Sequence, residues 1–182
     1  MSTTTGSTKE MIRYEIGCGK YVVVTSYKNE VLTHIRHFDL SMNGSKMFPT
    51  KRGIVLRPRG FANLVQLKDD ITNALVTAVA DVSVKMHKHI ANGVYVSVST
   101  DYAIVNLRSY FLPENSKEPQ PTRRGICLTM SEWLNFLSVI DLMCAEVKEL
   151  KDATPSLCED DHENQMSFYN CSYCNPFNIM PE

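Results

Sequence analysis

Pro49-Thr50-Lys51-Arg52-Gly53-Ile54-Val55-Leu56 returns as Pro121-Thr122-Arg123-Arg124-Gly125-Ile126-Cys127-Leu128, an offset of 72 residues. Six of the eight positions are identical and a seventh exchanges Lys for Arg. The same offset lays Arg36 on Arg108 and Phe38 on Tyr110, while Tyr21-Val22-Val23-Val24 meets Tyr95-Val96-Ser97-Val98 at an offset of 74. The two-residue difference therefore falls in the hairpin turn between these blocks. Three blocks that keep register indicate an internal duplication, and two copies are too few for a solenoid.

Within each copy the periods change in one order. Residues 20–27 and 31–38 are β-branched and aromatic runs parted by Lys28-Asn29-Glu30, and 94–99 and 103–111 repeat this across Thr100-Asp101-Tyr102, so each copy contains a hairpin. A further strand follows at Gly53 to Leu56 and at Gly125 to Leu128, with another expected before the hairpin at Arg13 to Gly17 and at Val82 to Ile90. A helix closes each copy. Pro58 suits a first helical turn, and Thr129-Met130-Ser131-Glu132 has the spacing of a capping box. Phe61, Leu64, Leu67, Ile71, Leu75 and Val79 form one helical stripe, and Trp133, Leu137, Ile140, Cys144 and Val147 the other. Both read as core or helix-pairing surface.

The expected fold class is α+β: two tandem repeats, each a curved antiparallel sheet of about four strands followed by one helix, paired as an intramolecular pseudo-dimer. One helix covers one sheet face and leaves the other to water or a ligand. The divisions are a Ser/Thr-rich, disordered start at 1–12, repeats at 13–80 and 81–151, and an acidic, Cys-containing tail at 152–182.

Composition bounds the function. The 182 residues are 43% hydrophobic and 21% charged with 8 Gly and 8 Pro, the balance of a globular chain. No apolar run reaches the roughly 18–20 residues of a membrane span, and the start has no apolar signal core, so neither membrane insertion nor secretion by that route is expected. Six Cys without such a signal read as thiols or metal ligands of a nuclear or cytosolic protein.

The net charge of −1 hides a polarised chain. Residues 1–68 carry 11 Lys+Arg against 4 Asp+Glu, residues 69–151 carry 8 against 10, and residues 152–182 carry none against 6. Five bases and no acid lie between Lys46 and Arg59. A surface that attracts polyanions and a segment able to compete for it are thus joined in one sequence.

Tyr-Val-x-Val, a hairpin, Ile/Leu-Arg-x-aromatic, then Pro-x-basic-basic-Gly-Ile-x-Leu and an aromatic at the helix start (Phe61, Trp133) resemble the C-terminal domain of the transcriptional positive coactivator, positive cofactor four. The resemblance spans about residues 13–80 and 86–150, closest from Arg124 to Trp133. It implies a coactivator that binds single-stranded DNA, with the usual dimer written into one chain that works as a monomer. Carried over by residue, the implied contacts are Tyr27, Lys28, Arg36, Lys51 and Arg52 in the first copy, with Lys46 of the same basic run. In the second they are Arg108, Phe111, Arg123, Arg124 and the hairpin aromatic Tyr102. The chain departs from the pattern at Glu30, where the family has a base, at Asp39, where it has Trp, and in the shorter second hairpin.

Elementary chemistry points the same way. Single strands are held by bases stacking on rings and by cations tracking phosphates. Period two puts His34, Arg36 and Phe38 on one strand face and Asn106, Arg108 and Tyr110 on the matching one. Strand arginines also serve as ion-pair partners or edge guards, and Phe38 and Tyr110 read equally as core residues. Gly53 and Gly125 serve backbone geometry, since neither sits in a Gly-rich loop.

In the tail, Cys158, His162, Cys171 and Cys174 are ligand types that suit structural zinc; otherwise no cofactor is expected. Neither a P-loop nor a nucleophile motif accompanies the five His, so an enzyme is not expected. Two alternatives share these residues: an RNA binder, and a module that binds proteins of the transcription machinery with weakened nucleic-acid affinity.

Overall fold

The computed structural model describes residues 8–156 together with Cys171 and Asn175. Its first half is β1 (Lys9–Gly17), β2 (Lys20–Tyr27), β3 (Glu30–Leu40), β4 (Met47–Leu56), α1 (Pro58–Gln66) and α2 (Lys68–Val79). Its second half is β5 (Lys85–Ala91), β6 (Val94–Ser99), β7 (Val105–Phe111), β8 (Gln120–Leu128), α3 (Met130–Glu146) and α4 (Lys148–Lys151). The strands make two antiparallel four-stranded sheets, ordered β1-β2-β3-β4 and β5-β6-β7-β8. This is the α+β class expected, in an arrangement that fits a pseudo-dimer.

Local chemistry sets the turns. Cys18-Gly19, Lys28-Asn29 and Asn92-Gly93 all take positive φ, the two-residue turn whose twist matches the flanking strands. The second long hairpin differs: its last pair is Val98 with Val105, and Ala103 turns left-handed at φ 47°, so β7 starts two residues later than expected. β5 likewise starts at Lys85 instead of Val82; ahead of it the Thr100 hydroxyl donates to the Val82 carbonyl (2.9 Å) and accepts from the Val84 N–H (2.8 Å), beside one backbone bond from Thr100 N–H to the Val84 carbonyl (3.3 Å). β1, in contrast, begins at Lys9, inside the stretch expected to be disordered.

The basic run ahead of Gly53, outside the strand expected there, is a bulge within it, and the run ahead of Gly125 is another. Arg36 pairs with Gly53 and Phe38 with Pro49, so Thr50, Lys51 and Arg52 all lie opposite His37. Arg108 pairs with Gly125 and Tyr110 with Pro121, leaving Thr122, Arg123 and Arg124 opposite Ser109. The threonines lock both bulges alike. Thr50 Oγ1 donates to the His37 carbonyl (2.9 Å) and accepts from Arg52 N–H (3.1 Å); Thr122 repeats this with Ser109 (2.8 Å) and Arg124 (3.1 Å). Gly53 is required where β4 rejoins β3, since a Cβ there would stand 2.6 Å from the Ile35 carbonyl oxygen.

The helices also depart from expectation. The first stripe divides at Leu67, which ends α1 and starts α2, and Val79 is 58% exposed while Ala78 faces the core. In α3 the buried line is Trp133, Phe136, Ile140 and Met143, one step around from the expected Leu137 and Cys144, which are half-buried. The capping box forms as predicted, Thr129 Oγ1 accepting from Glu132 N–H while the Glu132 carboxylate accepts from Thr129 N–H (2.8 Å). Among the described residues no helix is long and apolar enough to cross a membrane.

Each half's helices pack on the other half's sheet, α3 against β1 and α1 and α2 against β5, with α2 also on β6. One core cluster runs through both halves, from Val22, Ile35 and Leu56 to Val96, Leu107 and Trp133. Polar bonds, one of them buried, cross the same boundary. Trp133 Nε1 donates to Thr72 Oγ1 (2.9 Å), Asn63 Nδ2 to the Ile90 carbonyl (2.8 Å) and Asn135 Nδ2 to the Ile16 carbonyl (3.1 Å).

Candidate nucleic-acid interface

Each sheet turns one face to the shared core and one away. On the outer face of the first, Tyr21 pairs with Arg36 and Val23 with His34; on the second, Tyr95 pairs with Arg108 and Ser97 with Asn106. The arginines are fixed by the bulges beside them. Arg36 Nη1 donates to the Thr50 carbonyl and Arg108 Nη1 to the Thr122 carbonyl, each at 2.8 Å. The bulge thus holds a strand arginine from below while it thrusts Lys51 and Arg52, or Arg123 and Arg124, outward as exposed side chains. β4 and β8 are the sheet edges that meet between the halves, and this brings the two bulges to one seam.

The rings around the arginines differ between halves. In the first, Arg13 lies 4.6 Å over Phe38 and 5.6 Å over Tyr21, and Glu10 holds its guanidinium at 2.7 Å. Phe38 is buried, yet beneath Arg13 on the outer face and outside the core cluster. A groove of about 350 Å³ follows, lined by Arg13, Thr25, His34, Arg36 and Phe38 among others. In the second half, His87 stacks on Tyr95 at 4.9 Å and Tyr95 meets Tyr110 at 4.7 Å, with His89 edge-on to Tyr95. One outer face carries a cation over its rings and the other clusters its rings against one another.

At the seam a cavity of about 520 Å³ opens between β4 and the second half, with Arg36, Lys51, Arg57 and Arg124 in its lining and no acidic residue among the described residues there. Arg36 and Arg124 both line this volume, and burial, then the charge of Arg124, lower the Arg36 pKa. Arg57 also reaches Glu30, at 3.5 Å.

The other expected contacts scatter. Tyr27 and Lys28 share the tip of the β2–β3 hairpin, the Lys28 ammonium 5.2 Å over the Tyr27 ring. Tyr102 is 76% exposed in the β6–β7 loop, Phe111 is exposed at the end of β7, and Lys46 closes the β3–β4 loop, its N–H donating to Ser41 Oγ. Sequence reasoning missed Arg13, Tyr21, His87, His89 and Tyr95 as members of the outer faces, and Arg57 at the seam. For the tyrosines the signal was present, since each opens a repeated Tyr-Val block at the phase of a site arginine. Of the expected zinc ligands, Cys158, His162 and Cys174 lie outside the described residues; among the described residues no three metal-binding side chains gather.

Desolvation makes the imidazoles of both outer faces pH-sensitive, the half-buried His89 most of all. Burial pushes His89 down to about 4 from an ordinary 6.5, and lowers His34 and His87 as well, helped by Arg36 and Lys85 respectively. A histidine that takes its proton less readily folded than unfolded contributes no pH dependence above 6.5 and costs stability as pH falls from 6.5 toward 4. For His89 the loss is on the order of 3 kcal/mol. Urea unfolding at pH about 7 and about 4.5 checks it: His89→Gln is expected to shrink the acid-induced loss by more than half of that amount, and an unchanged loss would contradict the assignment.

Residues 15–67 match the family model described as Transcriptional Coactivator p15 (PC4), a segment running from the end of β1 through α1 and including Arg36 and the first bulge. No curated protein and no solved structure matches the chain.

Proposed function

We propose that the chain is a transcriptional coactivator of the positive cofactor four type that binds single-stranded or melted DNA with little sequence preference, and that residues 81–151 are a second copy of the domain in 13–80. The observation that carries this reading is the repeated unit on both outer faces: a strand arginine locked to a bulge carbonyl, rings beside it, and two exposed cations on the bulge. Such a unit offers stacking surfaces and phosphate contacts without a base-edge reader. The match at residues 15–67 supports a nucleic-acid-binding coactivator and, with it, a nuclear site of action. The shared core supports a monomer that supplies by itself what a dimer supplies elsewhere. Binding of this kind needs no cofactor and no catalytic group.

The test is fluorescence anisotropy of a labelled single strand of about 20 nucleotides against the same sequence as duplex and as RNA, at two salt concentrations. The single strand is expected to bind at least about tenfold more tightly than the duplex, and more weakly as salt rises. Equal or tighter duplex binding would refute the reading, and a clear preference for the RNA strand would move the partner from DNA to RNA.

A further inference from the structure

The two seams between the halves are built on one plan and finished differently. Asn63 Nδ2 reaches the Ile90 carbonyl at one, and Asn135 Nδ2 the Ile16 carbonyl at the other. The start of α1 stands against the β5–β6 turn as the start of α3 stands against the β1–β2 turn: a Cβ on Gly60 would lie 3.1 Å from Ala91 Cβ, and one on Gly17 lies 3.3 Å from Glu132 Cγ. Glu132 and Gly60 therefore occupy equivalent places, as do Lys20 and Val94, which close equivalent turns.

At the α3 seam these residues fill the space. Lys20 Nζ donates to both Glu132 oxygens, at 2.7 and 2.8 Å, and Glu132 is 3% exposed. At the α1 seam Gly60 and Val94 supply neither charge, and the 520 Å³ cavity opens there. Arg36, Lys51, Arg57 and Arg124 are in its lining and no acidic residue is among the described lining residues, while Arg57 also reaches Glu30 at 3.5 Å. Arg36 spends Nη1 on the Thr50 carbonyl, while its buried Nε has no hydrogen-bond partner among the described residues.

We infer that the α1 seam is a phosphate site, with the phosphate of a bound single strand taking the place that Glu132 occupies across the pseudo-dyad. This rests on the proposed function and adds to it that the halves are not equivalent: the anion is built in at one seam and supplied by the ligand at the other. Guanidinium forks match phosphate oxygens two at a time, which favours phosphate over a single carboxylate.

Inorganic phosphate is the probe, titrated into the full chain at low ionic strength while the Arg36 and Arg124 Nε–H and the Ala91, Asn92 and Ser109 amide resonances are followed. Saturable shifts confined to this set are expected. Gly60→Glu with Ala91→Gly copies the closed seam, and is expected to weaken phosphate binding at least about tenfold. The neutral pair Gly60→Gln with Ala91→Gly carries the same bulk and should stay within about threefold of wild type. Single-strand affinity should follow, with a salt slope lower by about 0.7 in the Glu variant only. Unsaturable shifts spread over surface cations, equal phosphate affinity in the Glu and Gln variants, or stronger binding of hexaglutamate than of phosphate would each overturn the site. Failure of the wild type to bind single strands would refute the proposed function alone, because the phosphate titration is read independently.

Discussion

Replacing Lys51, Arg52, Arg123 and Arg124 together with Ala is expected to cost roughly two to three decades of single-strand affinity near 0.1 M salt and almost nothing near 1 M. All four stand on bulges that project them from the seam, and none of them builds the core. Each phosphate contact with a single strand contributes about 0.7 to the dependence of log K on log salt, so four lost contacts flatten the slope by about 3. The bulges themselves survive the change, because they are held by Thr50, Thr122 and backbone groups. Anisotropy over a salt series measures both quantities at once. A variant that loses affinity equally at all salt concentrations would remove these side chains from the phosphate path.

The second large effect concerns the unity of the body. Trp133 has no exposed surface, stacks near Phe136 at 5.4 Å and donates across the boundary to Thr72. Trp133→Ala leaves a cavity and takes the indole donor from Thr72 Oγ1, which keeps its own bond to the Lys68 carbonyl (2.7 Å); the loss is about 3–5 kcal/mol, or roughly 10 °C in the melting midpoint for a chain of this size. Since α3 packs on β1 and shares one core with β2 and β6, the loss is expected to reach both sheets. Amide exchange should quicken at Val22 and Val24 as well as at Val96 and Val98, within a single unfolding transition. Acceleration confined to the second half would mean that the halves fold separately.

The four strands of each copy and the hairpin within it were legible because β-branched and aromatic runs parted by short polar turns are local signals, and because the repeat let each copy be checked against the other. The bulges were not. Pro49-Thr50-Lys51-Arg52 has the composition of a turn, and only pairing with β3 reveals that three residues stand opposite His37. The α3 stripe was legible at Trp133, Ile140 and Val147, whereas Leu137 and Cys144 only flank the core that Phe136 and Met143 enter, because all four are apolar and packing on the other half's sheet selects between them. Arg36 and Arg108 could be named from their repetition, the basic residues beside them and the family resemblance, whereas Arg13 carries no motif and joins the outer face only through its approach to the rings of Tyr21 and Phe38. The open seam lies in the contrast between Arg57-Pro58-Arg59-Gly60 and Thr129-Met130-Ser131-Glu132, a difference that acquires meaning once Lys20 is seen to answer Glu132.

The central claim is that one chain supplies both arms of a single-strand clamp. Amide chemical-shift mapping with a strand of about 20 nucleotides, with the mass of the complex measured alongside, tests it most directly. The account predicts one protein chain per complex and simultaneous shifts on both outer faces and both bulges, around Tyr21, Arg36 and Lys51 and around Tyr95, Arg108 and Arg124. Shifts confined to one half, or a complex that forms only when two chains associate, would contradict it.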